Sequence, residues 1–459
     1  MTGGKCSVMS SKRTPQLVTV RPWDDGRAWS LQSEILCPPD KSVTHRSVML
    51  AAMARGESEI VYPLMGADCR STMAVFRALG VTIEGDTGGS AGATVRVSSP
   101  GWDGWRSPLT PLDYGNSGTT ARLLTGLFAA TPGLFVSCFG DASLSTRPMG
   151  RVVTPLRAMG AKILGRDDGR LLPMAVYGQP LKAANHTVDK ATAQVKSALI
   201  LAGLNCEGQT QVTLPGGSRD HTERMLAALG APIAVTKQGP NETVTVTGPF
   251  RPAARRHLVP GDPSSAAFFA VLAVLSSGTL VIKGVLDNDT RTGFVTLLEQ
   301  MGAKFERRRL VDRPGYLEPV MDLVVHGARE LKAIETDPAA APTFIDEVPI
   351  LAVAAMFASG KSRLRGLGEL RVKESDRLSK VVELLTVAGA RVWTEGDDLL
   401  IEGPTEQVQP FVFDPAEDHR LAMAASILAK FAHAPCRIAD PQCVAVSFPD
   451  FFEVLASLG

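Results

Sequence analysis

One local pattern occurs six times along the chain, and internal repetition of this kind constrains a fold more than any other sequence feature. The pattern is a turn residue followed by a β-rich segment, and it recurs at spacings of 70 to 82 residues. The six copies begin at Gly56, Gly133, Gly208, Gly278, Gly360 and Ala434. The nearly constant spacing predicts six structural units of the same kind.

A second pattern alternates with the first, an apolar helical segment that ends at a glycine and is followed by a strand-like segment. The complete copies are Leu79-Gly80, Met159-Gly160, Leu229-Gly230, Met301-Gly302 and Ala388-Gly389. Glycine just after the last apolar residue of a helix is the usual left-handed C-cap. Each unit is therefore predicted to contain a strand, a helix, two strands and a second helix, which makes the chain an α/β protein.

The sixth copy of this second pattern is Leu458-Gly459, where the chain stops without the two strands that should follow. Two β-rich segments without a preceding helix lie at the other end, residues 17–22 and 29–37, joined by the turn-like Asp24-Asp25-Gly26. We predict that these two segments complete the sixth unit, so that the repeats close into a circle.

This closure predicts two domains of three units each. Residues 1–39 together with 261–459 form the first, discontinuous domain, and residues 40–260 form the second. The chain then crosses between them near Pro38-Pro39 and near Pro260-Gly261. Because ligand sites favour clefts between domains, we expect the functional site to lie between these two.

Composition argues against several classes of partner. A formal net charge of +1 gives no reason to expect nucleic acid or an acidic membrane surface. The longest apolar runs, such as residues 266–275, are far shorter than the roughly 20 residues of a membrane span. No signal-peptide pattern opens the chain, and residues 1–15 are expected to be a disordered lead-in. Seven scattered cysteines without a CxxC pair indicate reduced thiols, a cytoplasmic location and no zinc site.

Residues 36–53 combine a stiff turn, two cations and a helix start. Two prolines end an extended run, and apolar residues recur at helical spacing from Ser42 onward. Ser42 is a candidate N-cap, and it shares one face of the first helical turn with Arg46, just after Lys41. Backbone N–H groups, a hydroxyl and two cations would then converge on an anion, although an ordinary capped helix with solvated charges has the same sequence.

Comparable polar segments precede apolar helices in both halves of the chain. They contain Asn116, Gly118 and Arg122; Arg147 and Arg151; Thr192, Ala193 and Gln194; Ser218 and Arg219; Asp346 and Glu347; Lys373, Glu374 and Arg377; and His419 and Arg420. Each segment alone is explained equally well by helix capping or by surface charge. Their recurrence at helix starts, with cations outnumbering carboxylates, predicts a cleft that binds a multiply anionic small molecule.

Two acidic residues in these segments are candidates for proton transfer. Asp346 lies between apolar residues ahead of a helix, where burial would raise its pKa and make it a base, although acidic residues at helix starts usually only complement the helix dipole. Glu374 lies beside Lys373 and three residues before Arg377. That arrangement is either a salt-bridged helix start or an anion clamp that holds a carboxylate.

A phosphate-binding P-loop is not predicted. Residues 359–362 read Ser-Gly-Lys-Ser, but Ala355 stands where the motif has its first glycine, and the residues that follow alternate like a strand. The motif requires a helix there. The sequence also has no dinucleotide-binding glycine pattern and no recognisable Ser/His/Asp arrangement, so cofactor chemistry is not indicated.

Nine motifs, in order along nearly the whole chain, resemble those of the 5-enolpyruvylshikimate-3-phosphate (EPSP) synthase family. They lie at residues 40–46, 115–119, 147–150, 193–197, 218–223, 346–347, 370–377, 418–420 and 447–449. The resemblance implies two inverse α/β barrels, each of three βαβαββ units, with the active site in the interdomain cleft. It implies transfer of the enolpyruvyl group of phosphoenolpyruvate to the 5-hydroxyl of shikimate 3-phosphate, with release of phosphate, in the shikimate pathway of aromatic amino-acid biosynthesis. No metal or organic cofactor is implied, a cytoplasmic monomer is expected, and glyphosate is the family's inhibitor.

The resemblance also implies roles for individual residues. Shikimate 3-phosphate would be held by Lys41, Ser42, Arg46, Thr192, Ala193, Gln194, Ser218, Arg219, Asp346 and Lys373. Phosphoenolpyruvate would be held by Lys41, Asn116, Gly118, Arg147, Gln194, Arg377 and Arg420. Asp346 would take the proton from the 5-hydroxyl, and Glu374, helped by Lys373 and Lys41, would handle the proton at the methylene carbon of phosphoenolpyruvate.

Four positions depart from the family pattern. Pro39 stands where glycine is usual, and Thr192 where serine is usual. Glu369 and Val446 occupy positions that are asparagine and lysine in some members. Single contacts at positions 369 and 446 are therefore in question, and Pro39 is expected to stiffen the crossing between the domains.

Two other functions stay open on the sequence alone. The sister enolpyruvyl transferase that acts on UDP-N-acetylglucosamine shares the fold, but it typically carries a cysteine in the loop that corresponds to residues 140–149, and none is present here. A non-catalytic polyanion-binding protein is the second possibility. Such a protein would gain nothing from carboxylates such as Asp346 and Glu374 among its cations.

Overall fold

The computed structural model describes residues 16–23, 30–85, 92–311, 313–328 and 330–458. The predicted disordered lead-in, the turn Asp24-Asp25-Gly26 and the terminal Gly459 lie outside these residues. The helices are α1 (Lys41–Met53), α2 (Ala67–Ala78), α3 (Gly118–Ala129), α4 (Gly150–Ala158), α5 (Arg166–Gly169), α6 (Ala193–Gly203), α7 (His221–Ala228), α8 (Pro263–Val274), α9 (Gly293–Gln300), α10 (Val348–Met356), α11 (Arg377–Val387), α12 (His419–Ala429) and α13 (Phe451–Ser457). Short 3-10 turns cover Trp102–Gly104, Leu144–Thr146, Pro338–Thr343, Ile345–Glu347, Gly368–Val372 and Pro441–Val446.

The strands of the described residues form six separate sheets. The strands are β1 (Leu17–Val20), β2 (Ser30–Leu36), β3 (Arg55–Val61), β4 (Thr82–Gly85), β5 (Thr94–Pro100), β6 (Leu112–Asp113), β7 (Phe135–Phe139), β8 (Lys162–Gly165), β9 (Leu171–Tyr177), β10 (Asn185–Thr187), β11 (Gly208–Pro215), β12 (Ile233–Gln238), β13 (Asn241–Gly248), β14 (Arg256–Leu258), β15 (Ser277–Leu286), β16 (Lys304–Leu310), β17 (Val320–His326), β18 (Gly360–Leu364), β19 (Arg391–Glu395), β20 (Asp398–Gly403), β21 (Val412–Phe413) and β22 (Cys436–Ala439). The sheet orders are β14-β3-β5-β4, β6-β7-β9-β8, β10-β11-β13-β12, β16-β17-β15-β2, β18-β20-β19 and β1-β22-β21. The predicted α/β fold of six repeated units is confirmed.

The repeated local signals lie where the sequence places them. Each turn-and-strand copy begins within two residues of the start of β3, β7, β11, β15, β18 or β22. The five glycines after the second helices have φ between 80° and 104°, the left-handed conformation that caps a helix without a steric cost to glycine. The rejected P-loop is indeed a strand, because β18 occupies residues 360–364.

Three helices in each half form its centre, with the sheets around them. In one half these are α1, α3 and α6, and in the other they are α8, α10 and α12. Every residue of α8, α10 and α12 is buried. Two apolar cores result, one around each set of helices. Most of the buried residues of β15 and β17 belong to the core around α8, α10 and α12. Leu317, from the connection between β16 and β17, packs instead into the core of residues 40–260.

The two N-terminal strands separate, which corrects part of the predicted closure. β1 pairs antiparallel with β22 in the sixth sheet, as predicted. β2 instead pairs parallel with β15 in the fourth sheet. The physical reason is the geometry of the repeated unit. β6 and β10 each pair parallel with the strand that follows the next helix, which is β7 or β11. β2 and β14, at the two crossings, take the same parallel position beside a strand of their own half, β15 and β3 respectively.

The two crossing segments pair with each other. Pro39 lies opposite Gly261 in an antiparallel bridge. The Asp40 amide donates to the Pro260 carbonyl at 2.8 Å, and the Asp262 amide donates to the Pro38 carbonyl at 2.7 Å. Neither bond uses the missing N–H of proline, so Pro39 is accommodated without loss of a hydrogen bond.

Across the described residues, no helix has both the length and the apolar character needed to cross a membrane.

Candidate active site

A cavity of about 870 Å³ lies between the two halves of the chain. Its walls include every residue for which the sequence analysis predicted a role: Lys41, Ser42, Arg46, Asn116, Gly118, Arg147, Thr192, Ala193, Gln194, Ser218, Arg219, Asp346, Lys373, Glu374, Arg377 and Arg420. The nine motifs are far apart along the chain, so the fold is what brings them together. The structure itself assigns no substrate contact to them.

Helices from both halves begin at this cavity. The first turns of α1, α3 and α6 line it from one side, and the starts of α11 and α12, with the 3-10 turn ahead of α10, line it from the other. The N-terminus of a helix carries partial positive charge and unpaired N–H groups, so several of them around one cavity favour an anion. The sequence placed Ser42 as the cap of α1, but the cap is Asp40, whose carboxylate accepts from the Val43 amide at 2.7 Å. Ser42 is thereby left inside the first turn, facing the cavity.

Asp346 is a buried carboxylate surrounded by cations. Its carboxylate lies 3.3 Å from Lys373 Nζ and 3.3 Å from Arg377 Nη1. Arg219 reaches it from the opposite side of the cavity, and Arg420 Nη2 lies 3.9 Å away. Burial acts to raise the pKa of Asp346, but these four cations outweigh it and hold the pKa well below the usual value. The predicted raised pKa is therefore wrong, since the sequence did not show how many cations would converge there.

Arg377 holds the second carboxylate. Its Nη2 lies 2.6 Å from Glu374 Oε2, and its Nε lies 2.8 Å from Asp418 Oδ2. Arg377 and Asp418 are both buried, and Asp418 also caps α12. Burial acts to raise the pKa of Glu374, but Arg377, His419, Lys373 and Lys41 lower it far below the usual value. Asp346 and Glu374 are therefore both ionised at neutral pH and share one fixed guanidinium.

Lys41 carries a full positive charge in the cavity. Its Nζ lies 3.0 Å from Asp68 Oδ2, in the first turn of α2. Burial and Arg420 act to lower the pKa of Lys41, but Asp68 and Glu374 raise it, and the net shift is upward. Lys41 is thus an ammonium group that can bind an anion but does not release its proton easily.

At one end of the cavity, Arg46 is fixed by its neighbours. Nε donates to Thr222 Oγ1 at 2.8 Å, Nη2 donates to Ser197 Oγ at 3.1 Å, and Nη1 donates to the Ser42 carbonyl at 3.1 Å. Burial lowers the pKa of Arg46 to about 10, which still leaves it charged at neutral pH. The guanidinium therefore presents a set orientation to the cavity.

At the other end, two arginines flank Gly118. Arg147 Nη2 donates to Asn116 Oδ1 at 2.7 Å, and Arg122 Nη1 donates to Gln194 Oε1. A methyl group at Gly118 would lie 3.3 Å from Arg122 Nη1 and 3.6 Å from Arg147 Nη1. Among the described residues, the buried Nε atoms of both arginines lack a hydrogen-bond partner. Unpaired buried donors are costly, so this end is built for an anion.

Several residues of the cavity wall received no individual role from the sequence. Arg122, Arg151 and His419 belong to the polar segments ahead of helices, so a count of cations within those segments could have singled them out. Asp68 and Lys190 lie outside all motifs, and no local signal distinguishes them from ordinary surface charge. His419 is neutral, because burial, Lys41 and Arg420 lower its pKa to about 4.

The departures from the family pattern have visible consequences. Glu369 lies 3.6 Å from Lys190 Nζ and 3.9 Å from Arg151 Nη1, so its charge pairs across the cavity. Val446 is absent from the cavity wall, and its carbonyl lies against Gly66 at the start of α2. Thr192 precedes α6, and its hydroxyl makes no capping bond to the helix.

Comparison with known proteins gives one consistent result. The model of the family described as EPSP synthase (3-phosphoshikimate 1-carboxyvinyltransferase) matches residues 27–455. A 3-phosphoshikimate 1-carboxyvinyltransferase of Gloeobacter violaceus is 47% identical, over 93% of this chain and 96% of that protein. The enzyme of the same name from Thermus thermophilus is 44% identical, again over 93% and 96%.

Solved structures agree with this result. EPSP synthase from Acinetobacter baumannii superimposes with a TM-score of 0.84 at 37% identity, over 97% of this chain and 98% of that one. The enolpyruvyl transferase NikO from Streptomyces tendae superimposes with a TM-score of 0.74 over 97% of each chain. At 18% identity, the likeness to NikO concerns the fold alone.

Proposed function

The chain belongs to the EPSP synthase family and transfers the enolpyruvyl group of phosphoenolpyruvate to shikimate 3-phosphate, and we propose that this reaction takes place in the cavity between its two halves. The observation that carries the proposal is the arrangement of Asp346 and Glu374 on the single buried guanidinium of Arg377. Two carboxylates at fixed separation inside a cationic cavity suit a reaction that moves protons on two anionic substrates.

Asp346 is the proposed base for the 5-hydroxyl of shikimate 3-phosphate. Four cations stabilise its negative charge, which makes it a weak base in this arrangement. Phosphate and carboxylate groups of the substrates would take over part of that positive charge. The pKa of Asp346 would then rise, and its carboxylate would accept the hydroxyl proton when both substrates are bound.

Glu374 is the proposed group for the methylene carbon of phosphoenolpyruvate. In the addition step the methylene gains a proton and becomes a methyl, the 5-oxygen bonds to the neighbouring carbon, and Asp346 takes the hydroxyl proton. In the elimination step the methyl returns a proton, the bond from that carbon to the phosphate oxygen breaks, and phosphate leaves. The anionic groups of the substrates would raise the pKa of Glu374 as they raise that of Asp346, so Glu374 would take up a proton from solvent, give it to the methylene and take one back from the methyl. The proton on Asp346 leaves with the phosphate. Lys41 and Lys373 stabilise the charges that develop.

The binding groups divide between the two ends of the cavity. Arg46, Thr192, Ala193, Ser218 and Arg219 are proposed to hold shikimate 3-phosphate, together with Ser42 and Lys373. Asn116, Gly118, Arg147, Arg377 and Arg420 are proposed to hold phosphoenolpyruvate, and Lys41 and Gln194 reach both substrates. Two observations support this division: Arg147 Nε has no hydrogen-bond partner within the described part of the chain, and the guanidinium of Arg46 is held in place by its neighbours.

We further propose that the two halves are domains, residues 1–39 with 261–459 and residues 40–260, and that one chain suffices for activity in the cytoplasm. Each half has its own apolar core, and all proposed site residues come from one chain. The six described cysteines are free thiols, which suits a reducing compartment. Light scattering of the purified protein at the mass of a single chain is the expected result.

The function is tested by phosphate release with different acceptors. We expect release only when phosphoenolpyruvate and shikimate 3-phosphate are both present, and none with phosphoenolpyruvate and UDP-N-acetylglucosamine. Turnover with the UDP-sugar, or no turnover with the shikimate 3-phosphate pair, would overturn the assignment. Binding of both substrates without turnover would indicate the non-catalytic polyanion-binding alternative.

A further inference from the structure

Arg291 is a buried arginine at the place where the chain crosses between its halves. Its side chain is only 1% exposed. Nη1 lies 2.8 Å from Asp40 Oδ2, and Nη2 lies 2.6 Å from Asp262 Oδ1. Because a buried charge is costly unless it is paired, this guanidinium and the two carboxylates stabilise one another. Arg291 thereby joins the two crossing segments through their side chains.

Both carboxylates also cap the helices that begin just after the two crossings. Asp40 caps α1, which carries Lys41, and Asp262 caps α8 by accepting from the Ser264 amide at 2.8 Å. The second oxygen of Asp262 accepts from the Lys41 amide at 3.3 Å. The position of Lys41 is therefore set by two carboxylates, one from each crossing, that share Arg291.

A second series of contacts leads from Arg291 to Arg420, on the side of the cavity that residues 261–459 form. Nη2 donates to Ser264 Oγ at 3.1 Å, and the Ser264 hydroxyl donates to Glu347. Glu347 is buried, and its Oε1 lies 3.7 Å from Arg420 Nη1. Arg420 is thus linked to the crossing through two hydrogen bonds and one ion pair.

A third contact of Arg291 involves the cavity wall itself. Its Nη1 lies 2.9 Å from His221 Nε2, and an arginine can only donate, so this nitrogen of His221 is the acceptor. The other ring nitrogen therefore carries the hydrogen and donates to Glu318 Oε1 at 2.7 Å. His221 begins α7, two residues after Arg219.

We propose that Arg291 is a positioning residue that couples the two substrate sites, by holding Lys41 on one side of the crossing and Arg420 on the other in a single buried network. The inference rests on the proposed function and goes beyond it, because Arg291 is buried and is not among the residues that line the cavity. Binding of shikimate 3-phosphate, mainly by residues 40–260, would orient Lys41 and the crossing. Arg420 would then be aligned for phosphoenolpyruvate.

The test measures coupling between the two sites in the whole chain. Calorimetry gives the Kd of phosphoenolpyruvate without and with a shikimate 3-phosphate analogue that lacks the 5-hydroxyl and so cannot react. For the wild-type chain we expect the analogue to tighten binding, within the roughly 5- to 150-fold range of typical couplings. In Arg291→Lys, which keeps the charge but loses the two-armed fork, that factor should fall about tenfold or to one. Affinity for the analogue alone should stay within about threefold of wild type.

A second variant covers the case in which Arg291→Lys does not fold. Ser264→Ala removes only the link between Arg291 and Glu347 and keeps both ion pairs. It should raise the KM for phosphoenolpyruvate and lower the coupling factor severalfold while the affinity for the analogue is kept. The matched controls are Ser276→Ala, just beyond the C-terminal end of α8, and Arg309→Lys, at an exposed arginine that pairs with the buried Asp287. Both controls should couple like wild type.

The possible outcomes separate this inference from the proposed function. No phosphate release by the wild-type chain would contradict the function itself. Wild-type turnover with a coupling factor of one overturns the inference, and so does unchanged coupling in Ser264→Ala, whatever the stability of Arg291→Lys.

Discussion

Glu374 Oε2 and Arg377 Nη2 lie 2.6 Å apart, and the same guanidinium also reaches Asp346 at 3.3 Å. One buried arginine therefore sets the separation of the two carboxylates that the proposed reaction requires. Arg377 is itself anchored by Asp418, so contacts within the protein fix the arrangement. Such preorganised geometry allows one carboxylate to act on a hydroxyl and the other on a methylene carbon without reorganisation.

Removal of either carboxylate's charge should stop turnover without abolishing binding. Asp346→Asn and Glu374→Gln are expected to lower kcat about 10²- to 10⁴-fold, the usual contribution of a positioned acid or base. Affinity for shikimate 3-phosphate should change little. Glu383→Gln, in a surface pair with Lys380 on α11, is the control and should retain full activity. Near-normal kcat in either active-site variant would remove that residue from its proposed role.

A methyl group at position 118 should weaken phosphoenolpyruvate binding selectively. In Gly118→Ala the new Cβ would lie 3.3 Å from Arg122 Nη1, which is closer than most contacts, so the guanidinium must shift. We expect the KM for phosphoenolpyruvate to rise about tenfold, equivalent to roughly 1.4 kcal/mol, with the KM for shikimate 3-phosphate nearly unchanged. Gly150→Ala is a matched control, because Gly150 also opens a helix and its Cβ would meet an arginine, Arg170, outside the cavity. Equal effects of the two variants would contradict the proposed subsite.

Pro39 should stabilise the crossing modestly. Both pairing bonds of the crossing use the amides of Asp40 and Asp262, so Pro39→Gly should keep them. The variant is expected to lose about 0.4–1 kcal/mol of unfolding free energy, because glycine makes the unfolded chain more flexible. Urea unfolding measures this. A loss above about 3 kcal/mol would mean that the proline ring makes essential contacts instead.

Acid should destabilise the protein because its buried histidines resist protonation. A variant at His257 measures the contribution of one such histidine. Burial and Arg255 lower the pKa of His257 to about 4, whereas in the unfolded chain it is near 6.5. As pH falls from 6.5 to 4, the unfolded state gains a proton that the folded state does not, so stability is lost with decreasing pH. In His257→Leu, the slope of unfolding free energy against pH should be shallower by up to about 1.4 kcal/mol per pH unit in that window. An unchanged slope would show that His257 is protonated in the folded chain.

The sequence predicts the repeat and the helix caps at glycine because these depend on local patterns, whereas the roles proposed for the site residues come from the resemblance to a family. Gly80 and Gly302, for example, are left-handed caps as expected. The sequence does not predict which strands pair with each other. β2 has the composition of a strand, but nothing in it specifies that it pairs with β15 and not with a strand of the sixth sheet. Charge balance is also a property of the assembled fold. The pKa of Asp346 depends on Arg219, Lys373, Arg377 and Arg420, which three separate segments supply.

Ion pairs between residues far apart in the sequence could not be predicted either, because they too depend on the assembled fold. Asp68 meets Lys41 from another helix, and Arg291 meets Asp40 across 251 residues of chain. A single sequence contains no signal for such contacts, because each partner alone is an ordinary charged residue near a helix start.

The most direct test of the account follows the methylene hydrogens of phosphoenolpyruvate in heavy water. Addition converts the methylene to a methyl with one hydrogen from solvent, and elimination removes any of the three. The wild-type chain should therefore form product with deuterium in the enolpyruvyl methylene, measured by mass spectrometry, and Glu374→Gln should form it far more slowly. Product at the wild-type rate without deuterium would contradict addition and elimination through Glu374 in this cavity.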